Sequence, residues 1–363
     1  MPLKCGIIGL SGSGKTTLFN CISNNRAETH KAVFAGTKSN LGVMNIPDPR
    51  LFAIDRLIKS AKVVQTTIEM VDIPGLSKGG SQTEGNKFLS DIRNVDALIH
   101  VIRCFDDPQL PHLEGSVNPV RDKEIVDLEL QIKDLESVEK KIIRLEKSAK
   151  MGDKDAKHGI EVLTKLKSHF ESFKSARTAP ILTDERRFLD DMFLLTDKPV
   201  MYICNVDDGS ALNGNDYSAR LIESVRGEDA EVLVIAGKME SEIAELESEE
   251  DRNLFLSDAG LSEPGVNRLV RIAFHLLDLQ CFFTAGPKEV RAWTIKKGMT
   301  APQAAGIIHS DLERGFIRAE VMKYADFIRY GTEHACKEHG KLMVEGKNYV
   351  VGDGDIMHIR FNV

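Results

Sequence analysis

The sequence predicts an α/β protein: an open parallel sheet interrupted by an inserted helical hairpin and followed by a smaller mixed domain of strands around one helix. Three observations carry that prediction. Short apolar runs rich in β-branched residues recur without polar alternation, as strands buried on both faces of a parallel sheet do. A glycine-rich GxxxxGK[ST] segment stands directly after the first of them. A heptad-spaced, highly charged stretch separates the third run from the fourth. At 363 residues the chain also exceeds the size at which one hydrophobic core keeps growing, so more than one domain is expected.

The predicted buried strands are Lys4 to Ile8, Thr67 to Val71, Leu98 to Ile102, Val200 to Cys204 and Val232 to Ile235, with helical stretches between several of them. From about Asp122 to Lys174, Leu128, Leu135 and Ile142 repeat every seven residues with Val138 and Leu145 between them. Met151-Gly152-Asp153 interrupts the pattern, and Ile160, Leu163, Leu166, Phe170 and Phe173 resume it. Neither apolar seam is satisfied alone, so two helices should fold back on each other. Lys147, Lys150, Lys154 and Lys157 at the tip suit either an anionic surface or a solvated helix end. After Leu279 the texture changes to alternating segments, Val290 to Ile295, Val344 to Val351 and Ile356 to Phe361, with one helical stretch at Ala301 to Ile308.

Composition narrows the function classes. The chain is 42% hydrophobic and 28% charged with a net charge of -7, a balance that suits a soluble globular protein and argues against a basic nucleic-acid coat. Any nucleic-acid partner must be met by a local patch. Six dispersed cysteines without a CxxC predict reduced thiols, with neither a disulfide framework nor a zinc site. No apolar window reaches membrane-spanning length, and the N-terminus enters a strand almost at once, so no membrane association and a cytoplasmic location are expected.

The chemistry concentrates in three motifs. Gly9-Leu10-Ser11-Gly12-Ser13-Gly14-Lys15-Thr16 follows a strand and precedes a helix that includes Thr17. The glycines let successive N–H groups converge on a phosphate chain, Lys15 adds a charge on the β and γ phosphates, and the Thr16 hydroxyl is a magnesium ligand. Asp72-Ile73-Pro74-Gly75 ends a strand as a DxxG, in which Asp72 holds magnesium through water and the Gly75 N–H meets the γ-phosphate. Asn205-Val206-Asp207-Asp208 ends a later strand, where base recognition belongs in GTPase-type sheets. Small-molecule kinases share the first motif but not this ordered remainder.

Further segments, Pro47-Asp48-Pro49-Arg50, Gly85-Asn86-Lys87-Phe88-Leu89, Glu240 to Leu246, Phe283 to Gly286, Val290 to Thr294 and Gly315 to Glu320, resemble the YchF/Obg-like ATPase family over essentially the whole chain. The resemblance implies a P-loop NTPase domain at 1–120 and 178–278, a coiled-coil hairpin inserted at 121–177 and a C-terminal β-grasp (TGS) domain at 279–363. It also implies magnesium, ATP hydrolysis in preference to GTP, and association with the large ribosomal subunit, with rRNA contact through the hairpin and the TGS domain.

Several positions depart from the family pattern. Gly12-Ser13 stands where Asn-Val is usual, and Gly36 falls at the family's switch threonine, which leaves Thr37, one place along, as the candidate second magnesium ligand. Ala35 replaces a cysteine, which removes thiol regulation there. Val206 in place of lysine weakens a GTPase reading, whereas Asp208 stands where guanine-reading proteins have their aspartate, so a GTPase of the same fold is the alternative. Leu76 occupies the position that orients water in many GTPases, and the family resemblance points instead to His112 as the catalytic group beside Lys15. A different class, a ribosome- or RNA-binding module in which hydrolysis is incidental, uses Arg291, Trp293, Lys296, Lys297, Arg318 and Lys323 on the C-terminal sheet.

Overall fold

The computed structural model describes residues 3–24, 40–75, 82–228 and 230–362. The described strands are β1 (Lys4–Ile8), β2 (Asn40–Asn45), β3 (Val63–Val64), β4 (Thr67–Asp72), β5 (Ala97–Arg103), β6 (Val200–Asn205), β7 (Glu231–Ile235), β8 (Leu279–Ala285), β9 (Val290–Lys296), β10 (Phe316–Met322), β11 (Met343–Glu345) and β12 (Ile356–Phe361). The helices used below are α1 (Lys15–Asn24), α2 (Pro49–Ile58), α3 (Gln82–Arg93), α4 (Pro119–Lys150), α5 (Lys154–Glu171), α6 (Asp216–Ser224), α7 (Gly237–Glu245), α8 (Glu249–Asp258), α9 (Gly265–Leu276) and α10 (Ala301–Ile308).

The chain divides into two compact units, 1–42 with 69–269, and 43–68 with 270–363. In the first, strands run in the order β4-β1-β5-β6-β7 with β2 added at the β4 edge. The four pairings from β4 to β7 are parallel, with Ile7 opposite Asp72 and Ile102 opposite Cys204. Every residue of β5 and β6 is buried, which is why these strands read as unbroken apolar runs. Ile8, Ile73, Leu98, Ile102, Tyr202 and Leu221 lie in one continuous core. The parallel order places the loops after β1, β4, β5, β6 and β7 at one end of the sheet, where open α/β folds bind ligands.

Helix α4 begins at Pro119, with the Asn118 side chain accepting from the Arg121 N–H, and runs 32 residues to a turn at Met151-Gly152. Asp153 caps α5 by accepting from Asp155 and Ala156 N–H groups. Val138, Val162, Leu163, Leu166 and Phe170 form the seam, joined by Phe188 and Leu194 from the return segment. The heptad reading placed Leu128 in that seam; it is 41% exposed, and Val126 and Leu130 are buried in its place. The base of α4 packs on the sheet domain's own surface, so its inward face there is set by the sheet and not by the partner helix. Buried polar groups fix the junction. Asp134 accepts from the Leu195 N–H at 2.9 Å, the Thr196 N–H at 2.8 Å and the Thr196 hydroxyl at 2.7 Å. Glu228 accepts from the Tyr202 hydroxyl at 2.6 Å and pairs with Lys123 at 2.6 Å and Arg177 at 3.2 Å.

The second unit is a mixed sheet in the order β11-β10-β12-β8-β9-β3. Helix α10, capped by Thr300 and Gln303, covers one face through Ala301, Ala304 and Ala305 against Phe282, Ile295 and Val321. Helix α2 covers the other, with Leu51 and Ile54 packed against Phe283, Val290 and Ile356. Segment 43–68 therefore leaves the sheet domain to which the sequence reading of 1–120 assigned it, because α2 supplies the apolar face that β8, β9 and β12 need. Arg50 secures it, donating to Asp353 at 2.7 Å and to Asp48 at 2.8 Å. Trp293 is half-buried; it stacks on Phe282 and donates to the Thr284 hydroxyl at 2.9 Å, with Arg291 over its outer ring face. The predicted strand from Val344 to Val351 contracts to three residues, since Gly346 and the residues after it turn.

Among the described residues no helix is long and apolar enough to cross a membrane. All six cysteines are buried thiols, and burial pushes those of Cys5 and Cys281 up to about 12. Cys5 and Cys104 thus behave as small hydrophobes.

Candidate functional site

Loops at the strand ends of the first unit enclose a cavity of about 760 Å³. Its lining unites the three motifs: Gly12, Gly14, Lys15, Thr16 and Thr17 after β1, Asp72 to Gly75 after β4, and Asn205 to Asp208 after β6. Phe105, Asp106, Asp107 and Leu110 after β5, and Gly237, Lys238 and Ser241 of α7, complete it.

The loop after β1 wraps into the N-terminus of α1, so its backbone N–H groups converge where a phosphate chain is favoured. Gly14 is required twice over: its φ is +95°, and a Cβ there would stand 2.1 Å from Asn205 Nδ2. Lys15 is 6% exposed and donates to the Leu10 carbonyl at 2.7 Å. Burial lowers its ammonium to about 8, against the opposing pull of Asp72. Gly75 approaches closely enough that a Cβ would lie 2.5 Å from Lys15 Nζ. Thr16 donates its hydroxyl to Asp72 Oδ2 at 3.1 Å, while Asp72 Oδ1 is buried with no hydrogen-bond partner. Burial raises the Asp72 carboxyl, with Thr16 and Lys15 working against it. A hydroxyl beside a carboxylate that keeps one oxygen unpartnered is a donor set that fits a hard, oxygen-seeking cation.

Asn205 does work beyond what the sequence reading gave it. Its Nδ2 donates to the Ser13 carbonyl at 2.9 Å and its Oδ1 accepts from the Gly237 N–H at 2.9 Å, so both ends of the amide are engaged. It ties the phosphate loop to the start of α7, and of its two Nδ2 hydrogens one is committed to Ser13. Val206 is buried with its N–H held by the Ile235 carbonyl. Asp208 lines the cavity, with Oδ2 3.6 Å from Lys238 Nζ and Oδ1 buried without a partner.

The structure separates His112 from this group. It lines a second, much smaller cavity with Ser13, His100, Arg103 and Asp122. Its Nε2 lies 2.8 Å from Asp122 Oδ2, and its Nδ1 accepts from the Glu114 N–H at 3.1 Å, which puts the ring proton on Nε2. No histidine or glutamine lines the larger cavity among the described residues. Thr37, Gly36, Ala35 and Leu76 lie outside the described residues. Sequence reasoning missed two contributors. Arg103 holds the cavity loop by donating to the carbonyls of Phe105 at 3.0 Å and Leu110 at 2.9 Å. Buried Glu240 accepts from the N–H groups of Gly265 at 2.7 Å and Val266 at 3.3 Å, linking α7 to α9. A lone arginine at the end of a fully buried, mostly apolar strand is the signal that marked Arg103.

Residues 4–147 match a family model described as a 50S ribosome-binding GTPase, and residues 279–362 match one named YchF-GTPase_C, described as a protein of unknown function. "Ribosome-binding ATPase YchF" of Bacillus subtilis is 48% identical, with the whole of both chains covered. The chain belongs to the YchF family. The protein of the same name from Escherichia coli O157:H7 is 45% identical, again over the whole of both chains. The solved YchF GTPase of Schizosaccharomyces pombe is 32% identical, with a TM-score of 0.89 over 99% of this chain and 97% of that one. The family fold therefore extends through both compact units. The names of these YchF proteins divide between ATPase and GTPase, so they leave the base to the residues around the cavity.

Proposed function

We propose that the chain is a magnesium-dependent P-loop nucleoside triphosphatase that hydrolyses ATP, binds the ribosome at its large subunit, and acts there as a translation- or stress-linked switch. The observation that carries the reading is the convergence of Lys15, Thr16 and Asp72 with the loop amides on one cavity, in a chain whose relatives are ribosome-binding ATPases over their whole length.

In this reading the amides of Gly12 to Thr17 and the Lys15 ammonium hold the β and γ phosphates and take up the charge that builds on them as the γ-phosphoryl group departs. Thr16 and Asp72 hold magnesium, which would neutralise phosphate charge when bound; Thr37 is the further candidate ligand. The Gly75 N–H meets the γ-phosphate. Asn205 keeps the loop in register with α7. Among the described residues the cavity lining supplies no imidazole, so the group that accepts from water is proposed to be His112, which must first leave Asp122 and free its Nδ1 lone pair from the Glu114 N–H. The hairpin of α4 and α5, with exposed Lys147, Lys150, Lys154 and Lys157 at its tip, and the second unit, read as a TGS β-grasp domain, are the proposed ribosomal contacts, a cytoplasmic role. GTP is the second reading, favoured by Asp208 alone.

Phosphate release from ATP by purified protein with no added acceptor tests the enzyme, and Lys15→Ala should lower it by at least about a hundredfold. Release that needs an acceptor would make the protein a kinase; unchanged release in the variant would remove the site. Co-sedimentation with ribosomes should differ with and without ATP. Equal pelleting in both states would leave a binding module in which hydrolysis is incidental.

A further inference from the structure

His112 stands beside the phosphate loop, yet its ring is committed elsewhere. The small cavity that it lines is shared with Leu10, Ser11 and Ser13, and Ser11 also lines the larger cavity. Leu110, two residues before His112, belongs to the wall of the larger cavity and is held there by Arg103. The two cavities thus share a wall, with the ring on its far side. Gly115, at φ +79°, closes a tight turn by donating its N–H to the His112 carbonyl at 3.0 Å, which gives the segment a hinge. What holds the ring is Asp122. Because Nδ1 accepts from the Glu114 N–H, Nε2 carries the ring proton and hydrogen-bonds through it to Asp122 Oδ2 at 2.8 Å. The two side chains are 8% and 5% exposed, so the bond is charge-assisted and shielded from water. The other oxygen, Oδ1, accepts from Arg121 Nε at 3.1 Å and Nη2 at 2.8 Å.

We propose that Asp122 restrains hydrolysis in the free protein: it stores the His112 ring on α4 and so keeps it from the water that attacks the γ-phosphate. Asp122 is a positioning residue, acting through His112. Only the fraction of molecules in which this bond is open can use the imidazole, so turnover scales with that fraction. Asp122 lies in the first turn of α4, which builds the restraint into the stem of the hairpin. The carboxylate is suited to the task because it serves two donors at once, one on each oxygen. An amide of the same shape has one oxygen, so whichever donor that oxygen serves, the other meets an NH₂ group. The ring cannot answer by changing tautomer, since its Nδ1 must accept from the Glu114 N–H.

This inference rests on the reading of His112 as the group that accepts from water, and one set of rates separates the two. ATP hydrolysis by full-length protein in magnesium is measured for wild type, Asp122→Asn, His112→Ala, the two combined, and Arg121→Gln, with a thermal melt of each. Asp122→Asn should raise kcat about tenfold, the size of one hydrogen bond to a charged group, with KM little changed. In the His112→Ala background the same change should do nothing, which a merely structural role would not produce. Arg121→Gln loosens the same turn of α4 but leaves the histidine its partner, and should keep the wild-type rate. An unchanged or lowered kcat in folded Asp122→Asn, a rise that survives loss of His112, or an equal rise in Arg121→Gln would overturn the proposal and leave His112 its role. Wild-type protein supplies a second measurement that needs no variant at 122. Histidine-labelled protein should show the His112 Nε2–H resonance, identified by its loss in His112→Ala, and that resonance should disappear with magnesium, ADP and aluminium fluoride. A resonance that persists, or equal turnover in wild type and His112→Ala, would overturn both the proposal and the reading beneath it.

Discussion

Lys15 is where charge, burial and chemistry meet, and its titration gives a direct prediction. Burial lowers the ammonium to about 8, so the free protein keeps it charged below about pH 8 and loses it above. A bound triphosphate favours the charged form, so ATP affinity should be full below about pH 8 and fall as pH rises through that value. Between about 8 and 10.5 the unfolded chain binds more protons at this group, so its contribution to stability rises with pH over that window. Nucleotide titrations from pH 6.5 to 9.5 check the first statement, and Lys15→Ala should flatten the profile. At Gly14, replacement by alanine drives a Cβ into the Asn205 amide. ATP binding should weaken at least about tenfold, and since Asn205→Ala removes both the tether and the obstacle, the two changes should fall short of additive. The glycines, Lys15, Thr16 and Asp72 were legible in the sequence because a phosphate cradle needs those residue types at that spacing. The tether role of Asn205 was not, since only the fold brings Ser13 and Gly237 to its two ends.

Among the elements, α4 joins the sheet domain to the hairpin, and its first turns carry two testable junctions. His112 spends its ring on Asp122 near the start of α4. If catalysis draws it away, His112→Ala should lower turnover about tenfold or more with ATP affinity little changed; equal turnover would assign the histidine to anchoring the helix. Glu228 compensates Lys123 and Arg177 and binds the Tyr202 hydroxyl. Glu228→Ala leaves two partly buried cations short of a partner, and should lower unfolding free energy by about 3 kcal/mol in denaturant titration. The hairpin itself was legible, because 3.5-residue periodicity on either side of a glycine turn leaves little else to build. Its inner face near the base was not. Leu128 reads as a seam residue by spacing alone, and only the sheet surface beneath α4 turns Val126 and Leu130 inward instead.

For the whole molecule, the buried parallel strands were readable as such, whereas the division of the chain into units was not. Residues 43–68 sit early in the sequence, among elements of the sheet domain, yet α2 buries Leu51 and Ile54 in the core of the C-terminal unit. A contact between segments so far apart in sequence leaves no local trace beyond an amphipathic helix. It has a consequence: the C-terminal segment 279–363 expressed alone lacks the cover for Phe283, Val290 and Ile356, and should be poorly folded by circular dichroism and thermal melting. Addition of a peptide spanning 43–68 should restore part of the lost order. A stable, cooperatively melting fragment would contradict that account of the unit.

The claim on which the rest depends is that the cavity after β1 takes a magnesium-bound triphosphate by its phosphate end. Calorimetric titration of nucleotide-free protein with ATP, in magnesium and in its absence, beside Lys15→Ala, measures it directly. The account predicts saturable one-to-one binding that weakens strongly without magnesium and is lost in the variant. Binding that ignores both magnesium and Lys15, or no binding at all, would contradict it.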